Sequence, residues 1–324
     1  MTDDGCQQRS GGQPRVAPDF AQHNVFSAMN TYAGIDVGGT GIKYGVVDEM
    51  GQTVWEESVP TQADEGRDAV VERICGIVRR IQQRSPDILS VGLGVPGVVD
   101  PDTKHVQAPP NLPGWDDVDL LSHIRQITFK PVDLENDANA AALAEAHMGA
   151  GTEHPNFLYA TLGTGIGGGV ILGGRLYRGP HGDAGEIGHI IMDAWAREGA
   201  RDPRPFRTAV LEDHVGNAGI VQMARQAGHD VHSVAEITDE NVLREAGRVI
   251  GIGMCTAMAV LGVRVLIVGG GVSQAPYIIE SIEQTIKHRA IPTIAAHAVV
   301  LPARFGAHAG LVGAAAVGRA VVAR

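Results

Sequence analysis

A carboxylate at Asp137 follows Glu135 and Asn136 where the expected strand 131–134 gives way to an alanine-rich stretch. Open α/β sheets place their ligands at the carboxyl ends of strands. A carboxylate there can take the proton of an attacking hydroxyl, the one acid–base task in phosphoryl transfer to an alcohol. Asn and Asp are also favoured helix N-caps, so either residue could instead serve the orphan amides of a following helix. Residues 161–189 open with Gly163, Gly165, Gly167, Gly168 and Gly169 and close with Glu186 and His189. Bare backbone amides at such glycines can approach an anion closely. Glu186 and His189 lie in a segment too rich in Gly and Pro for a helix, and they suit a hydroxylated ligand. The stretch therefore reads as phosphate at one end and hydroxyls at the other. A flexible linker would lack the β-rich flanks at 157–162 and 170–172.

A second glycine turn precedes it. Residues 39–47 lie over 163–171 at one constant offset, Gly39-Thr40-Gly41-Ile42 over Gly163-Thr164-Gly165-Ile166. Two related halves, each offering a phosphate loop, follow from that match. Asp36 closes the strand before the first turn, and at the same offset Ala160 stands opposite it. One Mg²⁺ beside phosphates takes one or two protein carboxylates, which this asymmetry supplies; an Asx-turn is the alternative. Lys43, matched by Gly167, could reach a phosphate or stand as an ordinary strand lysine.

Two motif matches fail on context. Gly163, Gly165 and Gly168 fit G-x-G-x-x-G with Asp183 downstream, but a dinucleotide motif must open a helix and 170–172 continues as a strand. Lys43 follows Ile42, so no Gly-Lys-Ser/Thr loop exists.

The elements that position these residues follow from periodicity. Strands are expected at 32–37, 43–48 and 53–58, a meander with turns at Gly38–Gly39 and Gly51. Val70, Val71, Ile74, Ile77, Val78 and Ile81 share one face of a helix over 68–84. A strand at 90–95, a short helix near 118–126, a strand at 131–134 and a helix over 137–148 complete one βββαβαβα unit. The second unit holds the glycine hairpin, helices at 207–226 and 239–261, and a strand at 263–268 broken by Gly269–Gly270–Gly271. A helix near 276–287, a strand at 298–301 and a small-residue helix over 307–322 end it. The fold class is α/β, with helices on both sheet faces. Residues 1–30 read as a weakly ordered tail, with a short helix near 20–29. The expected division is a small domain of 31–135 plus 307–324 and a large domain of 136–306.

The chain has 324 residues, 44% hydrophobic and 19% charged, which suits two globular domains. Its formal net charge of −11 disfavours nucleic-acid and anionic-membrane surfaces. Cys6, Cys75 and Cys255 are dispersed and odd in number, as in a reducing cytoplasm, and no stretch approaches the ~20 apolar residues of a membrane span. A soluble cytoplasmic protein is expected.

Together the motifs resemble the ROK family (repressors, open reading frames and sugar kinases), and within it the bacterial glucokinases, from about Tyr32 to the final helix. The resemblance implies the duplicated ribonuclease-H-like, actin-type ATPase fold, with a cleft between two domains, and a homodimer. It places ATP and Mg²⁺ at Asp36, Gly38, Gly39, Thr40 and Lys43, at Gly163, Thr164 and Gly165, and at Gly269, Gly270 and Gly271. It places the sugar at Gly97, Asn111, Asn136, Asp137, Glu186, His189 and Glu212, with Asp137 as catalytic base. The implied reaction moves the ATP γ-phosphoryl group to a hexose hydroxyl, glucose first, with fructose, allose, mannose, an N-acylated amino sugar or a polyphosphate donor as alternatives.

One departure from the family pattern is plain. Three zinc-binding cysteines are usual, and here Pro203, Pro205 and Val210 stand at their positions. No cysteine lies between Cys75 and Cys255, so a zinc-free member is expected, its loop stiffened by the prolines. His189, Asp193 and His214 lack anything to fix a substitute geometry. The rival classes are a sugar-binding sensor without catalysis and a repressor, which would need a basic helix-turn-helix ahead of Tyr32.

Overall fold

The computed structural model describes residues 29–107, 109, 111–193 and 209–323. The first half contains β1 (Thr31–Val37), β2 (Gly41–Asp48), β3 (Thr53–Pro60), α1 (Arg67–Arg84), β4 (Val91–Val95), a small hairpin of β5 (Val98–Val99) and β6 (Val106–Gln107), α2 (Leu120–Arg125), β7 (Val132–Asn136) and α3 (Asp137–Met148). The second contains β8 (Phe157–Leu162), β9 (Ile166–Leu172), β10 (Arg175–Tyr177), α4 (Leu211–Val215), α5 (Asn217–Gln226), α6 (Glu240–Leu261), β11 (Val265–Gly269), α7 (Ile278–Arg289), α8 (Pro292–Ala295), β12 (Val299–Pro302) and α9 (Ala309–Val322).

The sheets run β3-β2-β1-β4-β7 and β10-β9-β8-β11-β12. Each is an antiparallel meander extended by two parallel strands, so the glycine repeat marks a duplication of the fold itself. The apolar stripe of α1 is buried as its spacing requires, with Val70, Val71, Ile74, Ile77, Val78 and Ile81 all inside the first core. A separate core fills the second half around Leu158, Leu211, Ile250 and Ile282.

The last helix of each half lies on the sheet of the other. A Cβ at Gly92 in β4 would sit 1.9 Å from the Ala314 carbonyl oxygen of α9, so only glycine lets that helix approach. Gly169 in β9 stands in the same relation to α3, where a Cβ would meet Ala142 Cβ at 2.5 Å. The two helices also touch each other, Gly313 against the backbone of Ala140 and Ala141. Alanine fills α3, and alanine with glycine fills α9, because thicker side chains would hold these backbones apart.

Several expectations need correction. The helix expected over 207–226 is two helices in its described part, α4 and α5, parted at Gly216. The break lets the Asn217 amide donate to the Gly163 carbonyl at 3.1 Å, which ties α5 to the second glycine turn; residues 207 and 208 lie outside the described residues. The first hairpin closes on the pair Val37–Ile42, the second on Leu162–Ile166, one loop residue fewer. Strand pairing therefore puts Thr161, paired with Gly167, opposite Asp36, paired with Lys43; Ala160 is not the counterpart. Gly269 ends β11 instead of interrupting a strand, and Ile187–His189 forms a single 3-10 turn. The tail lies outside the described residues except for Met29 and Asn30. No described helix is long and apolar enough to cross a membrane.

Candidate active site

Asn136 and Asp137 divide the roles that the sequence leaves open. Asn136 caps α3: its Oδ1 accepts from the amides of Ala138 and Asn139 at 3.0 and 3.1 Å. Its Nδ2 donates to the Gly97 carbonyl at 3.0 Å. Gly97 needs its φ of +84°, and a Cβ there would lie 2.8 Å from Gln107 O and from Pro109 Cα. With the cap supplied by its neighbour, the Asp137 side chain is exposed while Oδ1 accepts from the Ala138 amide at 2.8 Å. Protein crowds that carboxylate on most sides even though water reaches it. Burial pushes its carboxyl above the ordinary Asp value, and the Ala138 amide opposes the rise.

Asp36 is pushed up to about 6, first by burial and then by the charge of Asp137, with Lys43 pulling the other way. Its carboxylate lies against the start of α9, where a Cβ at Gly310 would fall 2.0 Å from Oδ2. Among the described residues no group donates a hydrogen bond to it. A partly buried carboxylate without a donor, beside a second carboxylate and a glycine turn, fits a hard divalent cation. Lys43 instead spends its ammonium on the Ala307 carbonyl at 3.1 Å, beside the same helix start.

The first glycine turn meets the loop of Asn111 directly, since a Cβ at Gly39 would lie 2.4 Å from Asn111 Cβ. Gly38 donates to the Gly41 carbonyl at 3.0 Å, and the Thr40 carbonyl accepts from Thr61 at 3.0 Å. The second turn is braced by Glu212, whose Oε2 accepts from the Ile166 amide at 2.9 Å and fills the space over Gly165. Glu186 has its pKa raised, mainly by burial; His189 lowers it, while Asp137, Glu212 and Asp183 raise it. His189 Nε2 stands 3.7 Å from Glu186 Oε2. Asp137, Glu186, His189 and Glu212 are thus near neighbours, gathered from three separate parts of the chain.

A cavity of about 550 Å³ opens beside the second turn, walled by Gly163, Thr164, Asn217, Val234, Gly271 and Pro276. Its apolar walls suit a flat heterocycle, with the amides of the turn at one end. Gly270 adopts φ +84° with its α-carbon packed on the Leu162 backbone, so the Gly269–Gly271 stretch closes against the hairpin. Val234, Ile237 and Gln274 belong to this wall and escape a sequence reading, because a turn at 234–236 has no motif. A larger open groove between α6 and α7, about 620 Å³, is lined by Arg–Glu pairs such as Arg248–Glu245 and holds none of the predicted site residues.

Arg178 is a further residue the sequence does not reveal. Its Nε donates to Glu135 Oε2, joining the loop after β10 to the end of β7. The Glu135 side chain is only 2% exposed.

Of the loop where the family usually holds zinc, only the two ends are among the described residues. Val210, at the third cysteine position, is buried and bridged to Ile191, and Met192 donates to Ala209 O at 2.8 Å. No three His, Cys, Asp or Glu side chains among the described residues are grouped to hold a metal ion. Pro203 and Pro205 lie outside the described residues.

A duplicated βββαβαβα unit with two glycine hairpins and a cleft between two domains defines the ribonuclease-H-like, actin-type ATPase fold. The chain belongs to the ROK family, whose profile matches residues 32–320. It is 31% identical to a glucokinase of Halalkalibacterium halodurans over 87% of this chain and 93% of the relative. A ROK family glucokinase from Streptomyces griseus, solved with glucose and AMPPNP, is 31% identical over 90% of this chain and 100% of that one, with a TM-score of 0.75. The xylose repressor of Bacillus spizizenii is 28% identical over 97% of this chain and 82% of its own length.

Proposed function

We propose that the protein is an ATP-dependent hexose kinase with glucose as its acceptor. The observation that carries this reading is that Asn136 caps α3 while the neighbouring Asp137 carboxylate stays exposed, holding the Ala138 amide through Oδ1. A carboxylate held ready at a strand's end, with a raised pKa, suits a general base. Likeness to the glucokinases of H. halodurans and S. griseus supports the same assignment.

In this reading Glu186, His189 and Asn111 grip equatorial hydroxyls of the sugar. Glu212 shares the sugar while bracing the second turn, and Asn136 acts on it through Gly97. A sugar without the matching hydroxyls leaves such polar groups unpaired and is rejected. Asp137 takes the proton of the attacking hydroxyl. The nucleotide base and ribose occupy the cavity beside Gly163 and Gly271, and the amides of the two glycine turns receive the phosphates. Asp36 would hold Mg²⁺, which when bound supplies charge neutralisation on those phosphates. Closure of the cleft on sugar keeps water from competing for the phosphoryl group. The division into a small domain of 31–135 plus 307–324 and a large domain of 136–306 is supported by α9 lying on the first sheet. The ROK likeness further supports a cytoplasmic homodimer.

A coupled assay over a hexose panel, with ATP and polyphosphate in parallel, tests the proposal. Fastest turnover is expected for glucose with ATP, and Asp137→Asn is expected to lower it by about 10³-fold or more while sugar binding persists. Near-normal turnover in that variant removes Asp137 from the role. Hexose binding with no transfer would favour a second reading, a sugar-responsive sensor, to which the similarity with the xylose repressor points.

A further inference from the structure

We propose that Arg178 is a positioning residue, which through Glu135 holds the sugar-binding loop of the second half in register with the catalytic base of the first. This rests on the kinase reading above. The segment from Arg178 to His189 carries Glu186 and crosses from one half to the other. It meets the first half twice. Arg178 donates to Glu135, and a Cβ at Gly182 would lie 2.2 Å from the Val99 carbonyl oxygen of β5.

Glu135 passes the contact onward. Its Oε2 accepts from Arg178, while Oε1 accepts from the Asn136 amide at 3.1 Å and from Asn139 Nδ2 at 3.4 Å. Both of those residues belong to the cap and first turn of α3, on either side of Asp137. One guanidinium thus ties the loop of Glu186 to the turn that aims Asp137. The Arg178 side chain is 23% exposed and its partner 2%, so the pair is screened little by solvent. The same segment is also closed on itself, where Arg178 O accepts from the Ala184 amide at 3.1 Å. A shift at Arg178 therefore moves Glu186 and Asp137 relative to each other, and a misplacement of about 1 Å can cost 10²-fold in rate.

The test separates positioning from mere support of the fold. Arg178→Met alone strands a buried carboxylate and should lower both Tm and kcat. The double variant Arg178→Met/Glu135→Gln removes that stranded charge, so Tm should return close to wild type. Its kcat is expected to stay down by about 30-fold or more, with hexose KM raised and ATP KM changed less than about twofold. Arg178→Lys keeps the charge without the fixed fork and should recover only part of kcat. Recovery of kcat together with Tm in the double variant overturns the proposal, as does a parallel rise in both KM values. Amide hydrogen exchange keeps this result distinct from the kinase reading. Exchange in the double variant should rise in both 133–139 and 179–189, whether or not the wild-type chain transfers phosphate. A wild type inert toward every hexose sinks the proposed function alone; a rise in one segment only sinks the coupling.

Discussion

Asn136 and Gly97 are joined by one hydrogen bond of 3.0 Å, and that bond links the cap of α3 to the loop after β4. The same side chain accepts from two amides of the helix, so a single residue fixes the helix start and the loop beside it.

Asn136→Asp should therefore split stability from activity. An aspartate caps as well as an asparagine, so the helix keeps its stability, but it cannot donate to the Gly97 carbonyl. Turnover is expected to fall about tenfold or more with Tm little changed, whereas Asn136→Ala loses the cap as well, at about 1 kcal/mol. Thermal melts beside steady-state kinetics check this, and equal losses in both variants would contradict it.

Asp36 makes a stability prediction with a definite sign. Between its ordinary value of 3.8 and about 6, the folded protein keeps a proton on Asp36 that the unfolded chain has released. Stability from this group is full below that window and declines as pH rises through it. Asp36→Asn should accordingly stabilise the ligand-free protein by up to about 3 kcal/mol near pH 7.5 and have little effect near pH 3.5. Denaturant melts at both pH values decide it; a variant less stable than wild type near pH 7.5 would be evidence against a strained carboxylate.

The base assignment predicts the acid side of the rate profile. Burial raises Asp137, and only its ionised form can accept the hydroxyl proton. The fall of kcat/KM toward low pH should therefore lie above the usual aspartate range, and Asp137→Asn should remove it along with most of the rate. An acid limb at an ordinary aspartate value would count against the assignment.

Metal analysis of purified protein should find far less than one zinc per chain. Treatment with EDTA should leave Tm unchanged, because backbone pairing of Ile191 with Val210 closes the neck of the loop without a metal. Stoichiometric zinc would reverse this reading.

Local signals make much of this molecule legible from its sequence. The helix 137–148 is readable because Asn136 caps it and alanines fill it, and the duplication is readable because glycines recur in one pattern. What escapes depends on contacts between distant segments. The break at Gly216 answers to the Gly163 carbonyl, and nothing near Gly216 announces that partner. The missing loop residue in the second hairpin is hidden, since the glycine match aligns only the turn and the strand after it, and so misassigns the counterpart of Asp36. Arg178 and Glu135 stand 43 positions apart, without a motif to pair them. Glu186 and His189 carry a pattern; the wall around Val234 carries none.

The exchange of terminal helices bears on how the cleft can move. Where Gly313 meets Ala140 the two backbones are in direct contact, with no long side chain between them to bend. Rotation about that point displaces the crossing least, so it is the natural fulcrum for opening and shutting. Asp137 sits one turn from the fulcrum and would hardly shift in such a swing, and Asp36, which lies against the start of α9 at Gly310, would stay beside it.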